Sequence, residues 1–332
     1  MNLKRSLPAL LVWAFVLTLG LAPVAGKDKS KKKERVRGTP VLWRAPADIE
    51  ARDLFLGPGG EAMRPDLSSI TFIKEEKGGH TKKYRIRDGA GREWVAKLGK
   101  EAQSETAAVR LVWAVGYVTE INYLVPSLTI PGQGTFENVR LEARPKYIKR
   151  LDEWKWDKNP FAGRKELQGL LVLMALLNNW DIKDSNNKIL QVRNADTGRY
   201  ELRYIISDLG ATFGRVKSAL PLVWRFRRNR NEPADYQKSE FIDEVKGRYV
   251  YLAYRGKRED LFDDIRLSEA RWIGNWLARL SDAQLRAAFR AANYEPAEID
   301  ILTGEVRQRI NELVRLPGEQ RASTRRRPRL SQ

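Results

Sequence analysis

Cysteine is absent from the 332 residues, which excludes disulfides, thiol nucleophiles, iron–sulfur clusters and cysteine-built zinc sites together. Histidine is almost absent, with His80 standing alone. A Ser-His-Asp triad or a multi-histidine metal site would have to pass through that one residue. Chemistry therefore falls to carboxylates, lysines and asparagines. Acidic residues are also in deficit, 42 against 61 Lys and Arg, for a formal net charge of +19. Much of the excess is terminal: Lys27 to Arg37 holds seven basic and two acidic residues, Arg321 to Gln332 holds five basic and none acidic, and Lys4 and Arg5 add two. A charge placed this way favours contact between the ends and an anionic surface over a nucleic-acid groove. What is present is enough apolar material for a core. Hydrophobic residues make up 42% and charged ones 31%, a balance that excludes wholly disordered and collagen-like classes. The length suits one large domain or a two-lobed fold.

Behind Lys4 and Arg5 runs an apolar stretch from Leu7 to Ala25, followed by Gly26 and the charge run. Residues 1–26 therefore read as a signal peptide, with an uncleaved N-terminal anchor as the alternative. Both place the bulk of the chain outside the cytoplasm, in a periplasmic, lumenal or secreted setting. Residues 27–38 read as a basic linker and residues 317–332 as a basic disordered tail, either of which can lie against an anionic membrane.

From Thr81 onward the pattern is β: Lys82 to Arg87, a turn at Asp88-Gly89-Ala90-Gly91, and Glu93 to Leu98 form a hairpin. Glu101 to Val115 holds helix formers without a breaker and is closed by Gly116. Residues 121–149 read as further strands with loops. Glu166 to Leu177 is apolar nearly all round, the mark of a helix buried in a larger lobe. Between Leu267 and Leu316 the pattern is helical, with Ser281 to Gln284 as a capping box and Leu285, Ala288, Phe289 and Ala292 on one face.

The chemistry concentrates after the buried helix, in Asn178-Asn179-Trp180-Asp181-Ile182-Lys183-Asp184-Ser185-Asn186-Asn187. Lys188 to Val192 and Tyr200 to Ile206 are strand-like, with a turn at Asn194 to Gly198 between them. Counted from a tip at Asp196, Asn186 lies ten residues before and Asp208 twelve after. The hairpin thus returns Asp208 to Asn186, with Asp181 just upstream. Asn186, or its neighbour Asn187, beside Asp208 offers hard oxygen donors that suit Mg²⁺ completed by phosphate oxygens and water. Gly210 lets the backbone turn away from the strand end.

Asp181-Ile182-Lys183-Asp184-Ser185-Asn186 resembles the D-x-K-x-x-N catalytic loop of the protein-kinase-like superfamily, and Asp208-Leu209-Gly210 resembles its D-F-G metal motif. Val95-Ala96-Lys97 with Glu105 resembles the strand lysine and its helix glutamate, and Gly78-Gly79 sits where the family has its phosphate-covering loop. Asn179 and Trp180 replace the usual histidine and arginine, the glycine loop is not G-x-G-x-x-G, and no A-P-E follows. These departures resemble the atypical branch, with its HipA-like and phosphatidylinositol 3-/4-kinase-like domains.

The resemblance implies an α+β, two-lobed protein-kinase-like fold: a small β-rich N-lobe over 39–149 and a larger, mostly helical C-lobe over 150–316 that ends in a helical extension. It implies ATP and Mg²⁺ as cofactors. Lys97, steadied by Glu105 with Glu101 as rival, would hold the α and β phosphates under Gly78 and Gly79. Asp181 would orient or deprotonate a hydroxyl acceptor, Lys183 would meet the transferred phosphoryl, and Asn186 and Asp208 would bind the metal. The implied activity is phosphoryl transfer to a protein, lipid or small molecule. The alternative is a pseudokinase-like module that binds a nucleotide or partner without turnover. His80 reads as a loop or phosphate contact. Trp224 to Arg230 reads as a basic-aromatic segment beside the cleft that recruits an acidic acceptor or a headgroup.

Overall fold

The computed structural model describes residues 37–77, 81–217 and 227–318. Gly78, Gly79 and His80, the leader, most of the linker and tail, and the aromatic part of the Trp224 to Arg230 segment lie outside the described residues.

The chain is α+β, with a β-rich N-terminal part and a helical C-terminal part. After β1 (Thr39–Val41) come β2 (Thr71–Glu76), β3 (Lys83–Arg87), β4 (Glu93–Lys97), helix α1 (Glu101–Ala114), β5 (Asn122–Ile130) and β6 (Gly134–Ala143). Strands β2 to β6 make one five-stranded sheet in the order β2-β3-β4-β6-β5, antiparallel throughout. Alternation decides its faces. Tyr84, Ile86, Trp94, Ala96 and Leu141 all point to one side and are fully buried in an apolar cluster. Their neighbours Lys83, Arg85, Glu93, Lys97, Arg140 and Glu142 point to the other. Helix α1 stops at Gly116, where φ is +100° and a Cβ would lie 2.1 Å from the Arg44 carbonyl, so no side chain fits there.

A second sheet has the order β1-β9-β8-β7, built from β7 (Lys149–Arg150), β8 (Asn187–Arg193) and β9 (Tyr200–Ile206). Helix α2 (Lys165–Leu176) precedes that hairpin and is buried on all sides from Leu170 to Leu176. The N-lobe expected over 39–149 therefore needs one correction. Strand β1 leaves it and pairs in parallel with β9, Thr39 opposite Glu201, because a short strand gains more by completing the open edge of the hairpin than by standing alone.

The rest is β10 (Val216–Lys217), β11 (Arg227–Arg228), α3 (Pro233–Gln237), β12 (Ile242–Lys246), β13 (Tyr249–Leu252), α4 (Leu267–Ala278), α5 (Asp282–Ala291) and α6 (Pro296–Arg315). Helices α2 to α6 enclose the larger core, which includes Leu173, Phe213, Ile273, Phe289 and Ile310. At the head of α5, the Ser281 hydroxyl accepts the Gln284 N–H while the Gln284 side chain accepts the Ser281 N–H, the reciprocal cap the pattern implied. Gln284 also donates to the Ile49 and Arg52 carbonyls at 2.8 and 3.0 Å, pinning the segment that leads into the first sheet onto the helices. Among the described residues no helix is long and apolar enough to cross a membrane.

Candidate active site

Strand β4 buries Trp94 and Ala96 on the core side, and the same alternation turns Val95 and Lys97 toward a cleft of about 550 Å³. The Lys97 side chain is only 5% exposed, and a buried ammonium needs anionic partners. It has three: Glu105 Oε2 at 2.8 Å, Glu101 Oε2 at 3.0 Å and Asp208 Oδ1 at 3.5 Å. Sequence leaves the two glutamates as rivals, but four residues apart on one helix they share a face and reach the same nitrogen. Their other partners differ. Glu105 is fully buried and shared with Arg140 Nη2 at 3.2 Å. Glu101, in the first turn of α1, accepts the Thr81 hydroxyl at 3.1 Å and pairs with Arg230.

Asp208 stands two residues beyond β9. Strands β8 and β9 pair Asn187 with Ile206, and the Ser207 N–H donates to the Asn186 carbonyl at 2.7 Å, so the hairpin closes Asn186 against the residue before Asp208. Burial works to raise the Asp208 pKa. The Lys97 ammonium, the Gly210 N–H at 3.1 Å, and the charges of Arg140 and Lys83 outweigh it and hold the carboxyl below its ordinary value. The glycine after it has a different reason from the turn expected there. Gly210 has no positive φ, whereas a Cβ on it would lie 2.9 Å from Glu101 Cβ. Close approach of α1 to this segment is what demands the glycine.

Helix α2 ends where Asn178 takes the left-handed conformation (φ 51°), which asparagine tolerates. Its side chain donates to the Gly214 carbonyl at 2.6 Å, and the Leu177 carbonyl accepts the Phe213 N–H at 3.0 Å. The segment that carries Asp181 is thereby fixed to the segment after Asp208. Asp181 Oδ2 faces Lys183 Nζ at 3.1 Å, and its Oδ1 faces Lys257 Nζ at 2.9 Å. Asn186 donates its amide N–H to the Asp181 carbonyl at 2.6 Å. With that NH₂ group committed, Asn186 offers the cleft it lines an amide oxygen. Asn187 is fully buried, donates to the Trp154 carbonyl at 3.1 Å and does not line the cleft.

Lys97, Glu105, Asp181, Lys183, Asn186 and Asp208 thus line one cavity. Gly78 and Gly79 lie outside the described residues. No group of three or more metal-ligating His, Cys, Asp or Glu side chains occurs among the described residues. One carboxylate and one amide oxygen still fit Mg²⁺, which takes its remaining ligands from phosphate and water. The cations Lys83, Lys97, Lys183 and Arg230 around the same cavity suit a polyanion. Burial, helped by repulsion from Lys97, lowers the Lys83 pKa, and burial lowers that of Arg230.

Sequence reasoning missed the floor of the cleft. Arg140 on β6 reaches Glu142 at 3.0 Å and Glu120 at 3.8 Å as well as Glu105. Arg150, on the strand that opens the second sheet, pairs with Glu120 and donates to the Ser207 hydroxyl at 3.0 Å. A chain of charge therefore runs from Lys97 through Glu105, Arg140, Glu120 and Arg150 to the residue beside Asp208. Burial works to raise the Glu120 pKa, but Arg150, Arg144 and Arg140 prevail and lower it; burial also depresses Arg144 to about 10. The signal was there in the alternation Val139-Arg140-Leu141-Glu142-Ala143. Lys257 carried no signal.

Arg144 and Arg150 also line a second chamber of about 310 Å³, with Ile121, Pro145, Ile148 and Leu190. Thr119 lines it too, and its Oγ1 is buried without a hydrogen-bond partner.

No protein-family model matches the chain, and no curated protein does. Among solved structures it is similar to the Helicobacter pylori proinflammatory kinase CtkA, at 12% identity and a TM-score of 0.46 over 75% of this chain and 96% of that one. It is also similar to the Chaetomium thermophilum Rio2 kinase solved as an ADP/Mg²⁺-phosphoaspartate complex, at 13% identity and a TM-score of 0.31 over 76% of this chain and 74% of that one.

Proposed function

We propose that the chain is a kinase-like phosphotransferase that moves the γ-phosphoryl of ATP, with Mg²⁺, to a hydroxyl on an acceptor. One observation carries this: Lys97 and Asp208, 111 residues apart, meet at 3.5 Å in a cleft that also takes in Asp181, Lys183 and Asn186. Phosphoryl transfer needs cations to hold phosphates and a carboxylate at the acceptor, and asks for neither Cys nor His. Lys97 would hold the α and β phosphates, fixed by Glu105 and Glu101. Asp181 would orient the acceptor hydroxyl and take up its proton, with Lys183 beside the transferred group. Asp208 and Asn186 would hold Mg²⁺, whose charge would offset that of the phosphate oxygens. The 310 Å³ chamber, more apolar than the cleft and sharing Arg144 and Arg150 with its lining, suits the base. The departures at Asn179 and Trp180 support a place in the atypical branch.

A nucleotide-binding module without turnover is the second reading, favoured by the engagement of both Asp181 oxygens by lysines. An extracytoplasmic location, with the basic ends against an anionic membrane, belongs to the proposal and rests on residues outside those described. Mature N-terminal sequencing of secreted or membrane fractions tests it.

Purified protein incubated with labelled ATP, Mg²⁺ and an acceptor panel tests the activity. Mg²⁺-ATP should raise the melting temperature, Asp208→Ala should remove that rise, and Asp181→Ala should cut transfer by roughly 10²- to 10⁴-fold. A thermal shift without transfer would favour the binding module, and no shift at all would end both readings.

A further inference from the structure

The segment after β13 is built against the catalytic loop. At Gly256 a Cβ would lie 2.4 Å from Tyr254 Oη and 2.7 Å from the Trp180 carbonyl, so only glycine lets the chain pass this close. Lys257 N–H donates to that carbonyl at 2.8 Å, and Tyr254 Oη donates to the Lys257 carbonyl at 3.0 Å. Arg258 then reaches Asp184 at 3.3 Å, so the segment grips both ends of the loop that carries Asp181. The outcome is a second ammonium on one carboxylate. Lys183 faces the cleft, where donor phosphates would lie, and Lys257 does not line it. The two side chains are equally exposed, 43% for Lys257 and 42% for Lys183, so what separates them is that only Lys183 belongs to the cleft lining.

We infer that Lys257 is a positioning residue for the acceptor, and that the acceptor is a protein segment whose hydroxyl residue is flanked by Asp or Glu. The inference rests on the phosphotransferase reading and names the substrate class for that same site. One carboxylate cannot neutralise two ammonium groups, so the approach to Asp181 keeps a net positive charge. A neutral hydroxyl would have to displace Lys257 with nothing in exchange, whereas an acidic neighbour takes the ammonium over as the hydroxyl reaches Asp181.

Further cations are strung along the loop from separate parts of the chain. Arg228 stands over the Trp180 ring at 5.5 Å, beside Arg230, which is itself held by Glu101. Exposed Lys155 and Lys158 flank Trp156, whose N–H donates to Asp184 at 3.2 Å. Asp184, Asp260 and Asp157 share the one Arg258 guanidinium at 3.3, 3.0 and 3.9 Å, and Glu259 accepts the Gly256 N–H at 3.0 Å, so the positive surplus lies at Asp181 and not at Arg258. A row of cations fits an extended acidic peptide better than a compact phosphorylated alcohol.

The test uses the full chain with Mg²⁺-ATP and a positional-scanning peptide library centred on Ser, Thr or Tyr, with myo-inositol 1-phosphate as a separate arm. Selection for Asp or Glu beside the hydroxyl is expected. Lys257→Met should lower the acidic-to-neutral ratio of kcat/KM by on the order of tenfold, and Lys257→Arg should restore it. A flat or basic-selective profile overturns the inference, as does Lys257→Met slowing acidic and neutral peptides equally. Preference for the inositol phosphate overturns the peptide class. If no peptide is phosphorylated while Mg²⁺-ATP still raises the melting temperature, the inference falls and nucleotide binding stands. If neither occurs, the underlying reading falls with it.

Discussion

Two faces of the five-stranded sheet follow opposite rules although the same strands make both. On one, Tyr84, Ile86, Trp94, Ala96 and Leu141 are all fully buried among apolar neighbours. On the other, one residue along each strand, Lys97, Arg140 and Glu142 are nearly as buried but charged, and join Glu105 and Glu120 in a shared ionic layer. Apolar burial stabilises in proportion to area, whereas a buried ion pair at best offsets its own desolvation. A layer of such pairs is weak support for a fold. The same low dielectric that makes the layer expensive would strengthen its hold on a phosphate, as the proposed function requires. The difference teaches that this sheet divides labour by residue parity: even positions on β3 and β4 pack the apolar core, while the cleft takes its lining, Lys83, Val95 and Lys97, from odd ones.

Substitutions on the two faces should therefore fail in different ways. Trp94→Ala removes a fully buried indole, with edge contact to Tyr123 and a 2.9 Å hydrogen bond to Asp88, and should cost about 3–5 kcal/mol in urea unfolding. Lys97→Met, a few residues along the same strand, leaves Glu105 with Arg140 and Glu101 with Arg230. Its stability should change by less than about 2 kcal/mol. Its phosphoryl transfer, however, should drop by roughly three orders of magnitude. Equal destabilisation by the two would mean that the charged face is structural after all.

How much of this was legible in the sequence follows the same division. Local periodicity was readable. The Asp88 to Gly91 turn, the α1 boundaries and the closing of Asn186 toward Asp208 all came from counting along the chain, because a hairpin's register is fixed by its turn. Choices between neighbours were not readable. Asn186 and Asn187 differ only in which side of the strand start they face, and Glu101 and Glu105 turned out to share their lysine. Contacts without a local signature were invisible. The parallel pairing of β1 with β9 spans more than 150 residues, and Lys257 reaches Asp181 through a loop that matches no motif. In the sequence Gly210 reads as a turn residue, because a glycine's conformational freedom is on display there and the helix packed against it is not.

Acid should expose the charged face before the apolar one. The folded pKa values of Glu120 and Asp208 both lie below their ordinary values, 4.5 and 3.8. A depressed carboxylate contributes stability that is fully present above its unfolded pKa and is lost as pH falls through the folded one. The melting temperature should thus be level down to about pH 5 and decline below it. Glu120→Gln should start about 1–2 kcal/mol lower at neutral pH, because Arg150 loses its nearer carboxylate while keeping Glu142 at 3.4 Å, and then show a shallower acid limb. An unaltered limb in that variant would mean that acid acts elsewhere.

Adjacent asparagines give the smallest but sharpest separation. Asn187→Ala loses the hydrogen bond to the Trp154 carbonyl and leaves that acceptor unpaired in a buried site, a cost of about 1–3 kcal/mol. The folded variant should bind Mg²⁺-ATP as well as the parent does. Asn186→Ala gives up the amide that holds the Asp181 carbonyl, on a residue lining the cleft, and should alter stability by about 1 kcal/mol at most. Its Mg²⁺-ATP affinity should fall tenfold or more, since even groups behind a metal's direct ligands are worth roughly 10- to 100-fold. Calorimetric titration of both variants beside urea unfolding decides the matter. If Asn187→Ala were the one to lose the nucleotide, the metal ligand would have been placed on the wrong side of the strand start, and the division between a packing face and a working face would fail where the chemistry is most concentrated.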